Sequence, residues 1–214
     1  MKKAEAFDPV RRLAWTILQQ VEGSSGFADF TLDRTFSKTP ELRPLDRAFI
    51  SEMVLGTLRW QGRLDAIIQR ASKSREKKLD SRLLHLLRLG AYQILFMDRV
   101  PPSAAVNESV RLAKAIFKND KISGFTNAVL RSIARNKNQE SFPPFGSQPI
   151  EYITEALSHP HWMVERWVRE FGPEIAWKIC ATNNLRPPFT VRVNTLKTSR
   201  EILSVLVRTV KGGL

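Results

Sequence analysis

The segment Leu79–Asp98, LDSRLLHLLRLGAYQILFMD, is the feature that most constrains the fold. Its apolar residues lie on almost every side of a helix instead of along one stripe. A helix of this kind is stable in water only when other elements cover it on all sides. We therefore predict a helical core with this segment at its centre.

Amphipathic segments on both sides of it predict further helices. The first has Asp8 as a candidate N-cap and Pro9 at the first helical position, and apolar residues then recur at helical spacing. A short helix is predicted over 28–36, and RPLDRAFISEMVLGTLRWQGRLDAIIQRAS predicts two more with a break near Gly62. A later helix is predicted after two prolines, with Ser103 as its candidate cap, and KISGFTNAVLRSIARNKN predicts another.

The composition changes at ESFPPFGSQP, where Pro, Gly and Ser indicate a linker. We therefore divide the chain into an all-α domain at 1–140, a linker at 141–149 and a second segment at 150–214. The second segment contains helices, a strand predicted over Phe189–Leu196 and a further helix starting near Ser199. The predicted fold class is mainly α, ending in an incomplete α/β segment. A lone strand leaves its backbone groups unpaired, so we expect it to be poorly protected or paired with another molecule.

Net charge indicates the kind of partner. The chain has 34 Lys and Arg residues against 21 Asp and Glu residues, which gives a net charge of +13. Such an excess favours a polyanion, above all nucleic acid. No apolar run is long enough to span a membrane, and the start MKKAEAFDPVRR lacks the apolar core of a signal peptide. We therefore expect a cytoplasmic protein with no membrane partner.

The basic residues concentrate in two regions. Residues 59–88 contain nine Lys and Arg against three acids, and residues 111–137 contain seven against one. The segment RASKSREKKLDSR predicts a loop whose flexible cations can reach phosphates. A solvated charged surface is the alternative for either region. No zinc finger or RNA-stacking aromatic motif is present in the sequence, so sequence-specific recognition is not indicated.

Candidates for catalysis are few in this sequence. His159 and His161 flank a proline, and a helix start is more common in such a motif than a metal site. Cys180, the single cysteine, lies among apolar helical residues and is predicted to be a buried thiol rather than a nucleophile. The sequence also contains no glycine cluster that could hold a phosphate. Its own residues therefore predict no catalytic, cofactor-binding or metal-binding site.

Longer stretches resemble a known family. LLRLGAYQILFMDRVPPSAAVNESVRLAK followed by GFTNAVLR resembles the core signature of the NusB-like RNA-binding domain. LDRAFISEMVLGTLRWQGRLD resembles the version of this domain that is fused to a methyltransferase, in the bacterial 16S rRNA (cytosine-C5) methyltransferase family known as RsmB or Sun. HPHWMVERWVREFG and ATNNLRPPFTVRVNTLKTSREIL are similar to the segment between the two domains of that family. The resemblance covers nearly the whole chain.

The resemblance implies a helical domain that helps to hold 16S rRNA. It also implies a following Rossmann-like domain, which binds S-adenosylmethionine and carries two cysteines, one of which attacks C6 of cytosine. This chain has neither the cysteine motifs nor the glycine-rich cofactor loop. We therefore expect it to end before the active site, with no cofactor of its own and with the methyltransferase domain as an absent partner.

Within the matching part we assign residues to the core, to packing and to RNA. The core candidates are Leu83, Leu87, Tyr92, Leu95, Phe96, Val106, Val110, Phe125, Val129 and Leu130. Gly90 is expected to allow close helix packing, and Asn107 and Asn127 to be buried amides that hold helix ends or turns. The predicted RNA contacts are Arg11 and Arg12 by resemblance, Arg59, Arg63, Lys73, Arg75, Lys77 and Lys78 by charge, and Arg192 and Asn194 in the RVN motif. Those last two are expected either to touch RNA or to position the strand.

Two other functions stay open at this point. A free-standing transcription antitermination factor of the NusB type is compatible with the helical core, although the segment from Trp162 to Leu206 has no place in such a factor. A helical scaffold with an incidental basic surface is the other alternative.

Overall fold

Helices make up all the regular structure in the part of the chain that the computed structural model describes, which is residues 7–24, 27–72, 79–137, 139, 141–185 and 192–204. The mainly α fold class is therefore confirmed. In chain order the ten longer helices are α1 (Pro9–Ser24), α2 (Ala28–Lys38), α3 (Pro44–Arg59), α4 (Gln61–Ser72), α5 (Ser81–Phe96), α6 (Pro102–Phe117), α7 (Asp120–Arg135), α8 (Pro149–Ala156), α9 (His161–Phe171) and α10 (Pro173–Asn183).

Helix α5 lies at the centre of the bundle, as its sequence predicts. It contacts α1, α3, α4, α6 and α7, and every residue from His85 to Ile94 is buried. Gly90 allows the close approach of α6 and α7, because a Cβ there would lie 2.7 Å from both Leu130 Cδ1 and Ser109 Oγ. The predicted core residues are all buried or packed against the main apolar cluster.

The helix boundaries agree with some of the start and stop signals in the sequence and disagree with others. Asp8 caps α1, since the Val10 amide donates to Asp8 Oδ1 at 2.8 Å. The break between α3 and α4 comes at Trp60, two residues before the predicted Gly62. The Trp60 ring stacks there on Phe96, with centroids 4.9 Å apart. The prediction of Ser103 as a cap is wrong, because α6 already begins at Pro102 and no side chain caps it.

Helices α8, α9 and α10 enclose a second, smaller core. Its buried residues are Ile153, Val164, Ala176 and Cys180. Helix α8 also packs against α4, and all ten helices belong to one compact unit that ends at Asn184. The predicted linker at 141–149 therefore lies within this unit. Residues from Leu185 onward form a second unit.

The predicted strand over Phe189–Leu196 is not present in its described part. Residues 189–191 lie outside the described residues, and Arg192–Asn194 has neither helical nor strand structure. Asn194 then forms a turn: its Oδ1 accepts from the Leu196 amide at 3.1 Å, and its carbonyl accepts from the Lys197 amide at 3.0 Å. These local bonds satisfy the Asn194 carbonyl and the Leu196 amide, which a strand would pair with a neighbour. The helix predicted near Ser199 is present at 200–204.

Candidate nucleic-acid interface

The two basic residues of α1 differ in their surroundings. Arg11 is directed into the protein, where its Nε donates to Gln93 Oε1 at 2.7 Å and its Nη1 pairs with Asp8. Its guanidinium also lies 5.2 Å from the centroid of the Phe49 ring, and only 14% of the side chain is exposed. Arg12 is exposed and lines a surface groove between α1 and the loop before α3. Arg12 is therefore the residue of this pair that a partner can reach directly.

Arg59 and Arg63 lie four residues apart in sequence, on either side of the break at Trp60, and have different contacts. Arg63 Nη1 donates to the Ala156 carbonyl at 3.2 Å. Its guanidinium also lies 5.1 Å from the centroid of the Phe142 ring and 5.5 Å from that of Trp60. Arg63 thus joins α4 to the region around α8. Arg59 is half-buried and has no side-chain hydrogen bond or ion pair within the described residues.

The other predicted contacts lie in two further places. Lys73, Arg75, Lys77 and Lys78 fall outside the described residues. Arg192 and Asn194 belong to the second unit and are both exposed.

Some of the basic residues are paired with carboxylates of the same chain. Arg88, 8% exposed, makes two hydrogen bonds to Asp65, at 2.6 Å and 2.7 Å. Arg70 pairs with Glu155 of α8. Because charge counts include such residues, the nine bases of residues 59–88 overstate the charge that this region offers to a partner.

Helices α6 and α7 present a basic face, and none of its residues is among the RNA contacts predicted from the sequence. Both helices are antiparallel neighbours in contact along their lengths. Six exposed bases lie on these helices and on the connection between them: Arg111, Lys114, Lys118, Lys121, Arg131 and Arg135. One of these, Arg111, pairs with Glu108 at 3.0 Å, so most of the positive charge on this face stays available to a partner.

A groove crosses this face where α6 begins and α7 ends. It is lined by Pro102, Ser103, Val106, Asn107, Arg131, Ala134 and Arg135. Asn107 is exposed in the groove, so its predicted role as a buried amide is wrong. Asn127 is half-buried, and its Oδ1 accepts from Arg131 Nε at 2.9 Å. The sequence contained a signal for this groove, namely seven bases against one acid at 111–137, but not the antiparallel pairing that brings Asn107 beside Arg131.

Cys180 and His159, the titratable residues considered for catalysis, have structural roles. Cys180 is fully buried in α10, as predicted, and burial raises the pKa of its thiol to about 11. A thiol with such a pKa stays protonated near neutral pH and is a poor nucleophile. His159 Nδ1 lies 2.7 Å from the Leu157 carbonyl, which fits the predicted role in a helix start. The described residues include no group of His, Cys, Asp and Glu that could hold a metal ion.

None of the described helices is long and apolar enough to cross a membrane.

Two family models match the chain. The model of the NusB family matches residues 8–135, which comprise α1 to α7. The model of the RsmF/B-like methyltransferase ferredoxin-like domain matches residues 159–208.

Curated relatives match across both regions. A probable ribosomal RNA small subunit methyltransferase B of Bacillus subtilis (strain 168) is 33% identical over 193 residues, which cover 89% of this chain and 42% of the relative. Its counterpart in Synechocystis sp. is 35% identical over 190 residues, with the same coverage. The ribosomal RNA small subunit methyltransferase B of Pseudomonas putida is 34% identical over 162 residues, which cover 76% of this chain and 35% of the relative. This chain thus spans less than half of the length of these relatives.

The order of the two matched regions is itself informative. The chain has a NusB-family domain followed by a region of the RsmF/B-like methyltransferases, and its relatives are named ribosomal RNA small subunit methyltransferase B. The chain therefore belongs to the NusB family, in the form found in the RsmB/Sun group of ribosomal RNA small subunit methyltransferases.

Proposed function

We propose that this chain is the RNA-holding part of an S-adenosylmethionine-dependent methyltransferase that modifies cytosine C5 in 16S rRNA. Its role is to bind and orient the rRNA, and methyl transfer belongs to other residues of the whole protein. The observation that carries the proposal is the basic face of α6 and α7 within the NusB-family domain. Lysine and arginine side chains of this kind bind phosphates without reading the sequence.

The residues of this chain do not fit S-adenosylmethionine or cysteine chemistry. Its only cysteine is the buried Cys180, whose thiol has a pKa of about 11. The sequence also has no glycine-rich loop to approach a cofactor. We therefore assign no step of methyl transfer to this chain. The proposed location is the cytoplasm, where bacterial ribosomes are assembled and their RNA is modified.

The antitermination factor is the weaker alternative. The match of residues 159–208 to the RsmF/B-like region and the names of the relatives both favour the methyltransferase. A pull-down with the full chain distinguishes the two functions. The methyltransferase hypothesis predicts recovery of the 16S rRNA of the 30S subunit, whereas the antitermination hypothesis predicts recovery of transcription-complex proteins.

Filter binding to a fragment of 16S rRNA at several salt concentrations tests the proposal. We expect tight binding at about 50 mM salt that weakens steeply towards about 200 mM, because each neutralised phosphate of a single strand contributes about −0.7 to the slope of log K against log salt. An absence of binding at the lowest salt would contradict the proposed function.

A further inference from the structure

The groove between α6 and α7 combines charge, an amide and an apolar floor. Arg131 and Arg135 extend from α7 on one side, and Ser103 and Asn107 from α6 on the other. Between them lie Val106, which is buried, and Ala134, which is half-buried. Among the described residues, those that line the groove include no carboxylate.

The two arginines of the groove are available to an anion. Neither forms an ion pair within the described part of the chain, whereas Arg111 on the same face is paired with Glu108. Arg131 Nε donates to Asn127 Oδ1 at 2.9 Å. That bond fixes the orientation of the guanidinium and leaves its two terminal nitrogens as donors. Guanidinium groups held in this way bind phosphate with two parallel hydrogen bonds.

The spacing of the groove fits one nucleotide. Residues 131 and 135 are one turn apart on α7, so their Cα atoms are separated by about 6 Å along the helix axis. This spacing suits two successive phosphates of a single strand. The amide of Asn107 offers both donors and an acceptor to the edge of a base, and the half-buried Ala134 gives the base a small apolar surface.

We propose that this groove binds one nucleotide of single-stranded RNA, with Arg131 and Arg135 on its flanking phosphates and Asn107 on its base. The proposal rests on the proposed function, because it names a place where the rRNA is held. It differs from the predicted contacts on α1, since Arg12 lines a separate groove. An acidic protein segment is the competing occupant, and RNA is favoured because the groove pairs its charge with a donor and acceptor for a base.

The first experiment measures the affinity of the full chain for a labelled single-stranded RNA at several salt concentrations. We expect R131Q/R135Q to lower the affinity at least tenfold and to reduce the slope of log K against log salt by about 1.4, which corresponds to two phosphate contacts. The matched control is R34Q/K38Q, which removes the same charge from an exposed i, i+4 pair on α2, where Asp29 and Asp33 are also exposed. This control should leave the slope unchanged.

Two further variants separate charge from base recognition. R131K/R135K restores the positive charge and should recover most of the slope, while the loss of bidentate contacts keeps the affinity below that of the wild type. Asn107→Ala should lower the affinity without changing the slope, because an amide neutralises no phosphate.

The outcomes are distinguishable. If the wild type binds RNA and R131Q/R135Q has the same affinity and slope, the groove proposal is wrong and the proposed function stands. If the wild type binds no RNA at low salt, both are wrong. If polyglutamate displaces RNA from the wild type but not from R131Q/R135Q, at equal concentration of charges, the groove is a site for acidic protein segments instead.

Discussion

At the scale of single residues, buried polar groups show how the fold uses its charges. His85 lies in the apolar helix α5 and is only 3% exposed. Its Nε2 is 2.7 Å from Glu22 Oε2 of α1, and the carboxylate of Glu22 remains about half exposed. Burial lowers the pKa of His85 and the Arg88 cation lowers it further, which outweighs the opposite effect of Glu22 and Asp65. The folded protein therefore favours the neutral imidazole.

This pKa shift predicts a pH-dependent stability. The unfolded chain takes up a proton on His85 near its ordinary pKa of 6.5, whereas the folded chain does so only at lower pH. The stability that depends on neutral His85 is thus fully present above pH 6.5 and is lost as the pH falls through the lowered pKa. Urea unfolding of the wild type between about pH 7.5 and pH 5 should show this decline.

The His85→Gln variant isolates the contribution of this group. Its free energy of unfolding should fall less steeply than that of the wild type below pH 6.5, while the exposed His161→Gln should follow the wild type. Equal pH dependence of all three proteins would show that His85 does not titrate as the structure implies.

At the scale of helices, glycines set the distance between neighbours. Gly56 of α3 faces Tyr92 of α5, whose hydroxyl donates to Glu52 Oε1 at 2.7 Å. The tyrosine ring fills the space that a side chain at Gly56 would occupy. This contact fixes how α3 lies against the central helix.

Gly56→Ala tests that contact. Its Cβ would lie 2.0 Å from Tyr92 Cζ, so the ring or the helix must move, and we expect a loss of about 1–3 kcal/mol in the free energy of unfolding. Gly124→Ala on α7 is the matched control, because a Cβ there meets nothing within 4 Å. The control should gain up to about 1 kcal/mol from the higher helix propensity of alanine. Thermal and urea unfolding measure both, and a stabilised Gly56→Ala would contradict the packing described here.

Helix patterns in the sequence predicted much of this architecture, and particular failures have physical causes. The apolar pattern of α5 placed it correctly at the centre, and Asp8 with Pro9 correctly marked the start of α1. The strand prediction failed at 192–196, because β propensity does not reveal whether a neighbouring strand exists. Charge identified a basic protein, but it could not show that Arg11 and Arg88 are directed inward while Arg131 and Arg135 are not.

At the scale of the whole molecule, arginines of similar sequence context divide into those that hold the fold and those that face a partner. Arg63 and Arg70 both bind α8, and both lie over the ring of Phe142, at 5.1 Å and 5.3 Å from its centroid. Helices α8 to α10 are thereby attached to α4 by charged groups as well as by apolar contacts. The two separate apolar cores lie within one compact unit.

Arg59 and Arg63, four residues apart, allow a test of which arginines hold the fold and which face a partner. We expect Arg63→Gln to lower the free energy of unfolding by about 1–3 kcal/mol, because it removes a charged hydrogen bond and the contacts of the guanidinium with aromatic rings. Its RNA binding, measured below the unfolding transition, should keep the salt dependence of the wild type. Arg59→Gln removes the same charge but should change the free energy of unfolding by less than about 0.5 kcal/mol. If Arg59 contacts a phosphate, that variant should also reduce the salt slope by about 0.7. Arg63→Gln with unchanged stability and a reduced slope would reverse the two roles, and it would return Arg63 to the RNA-binding surface.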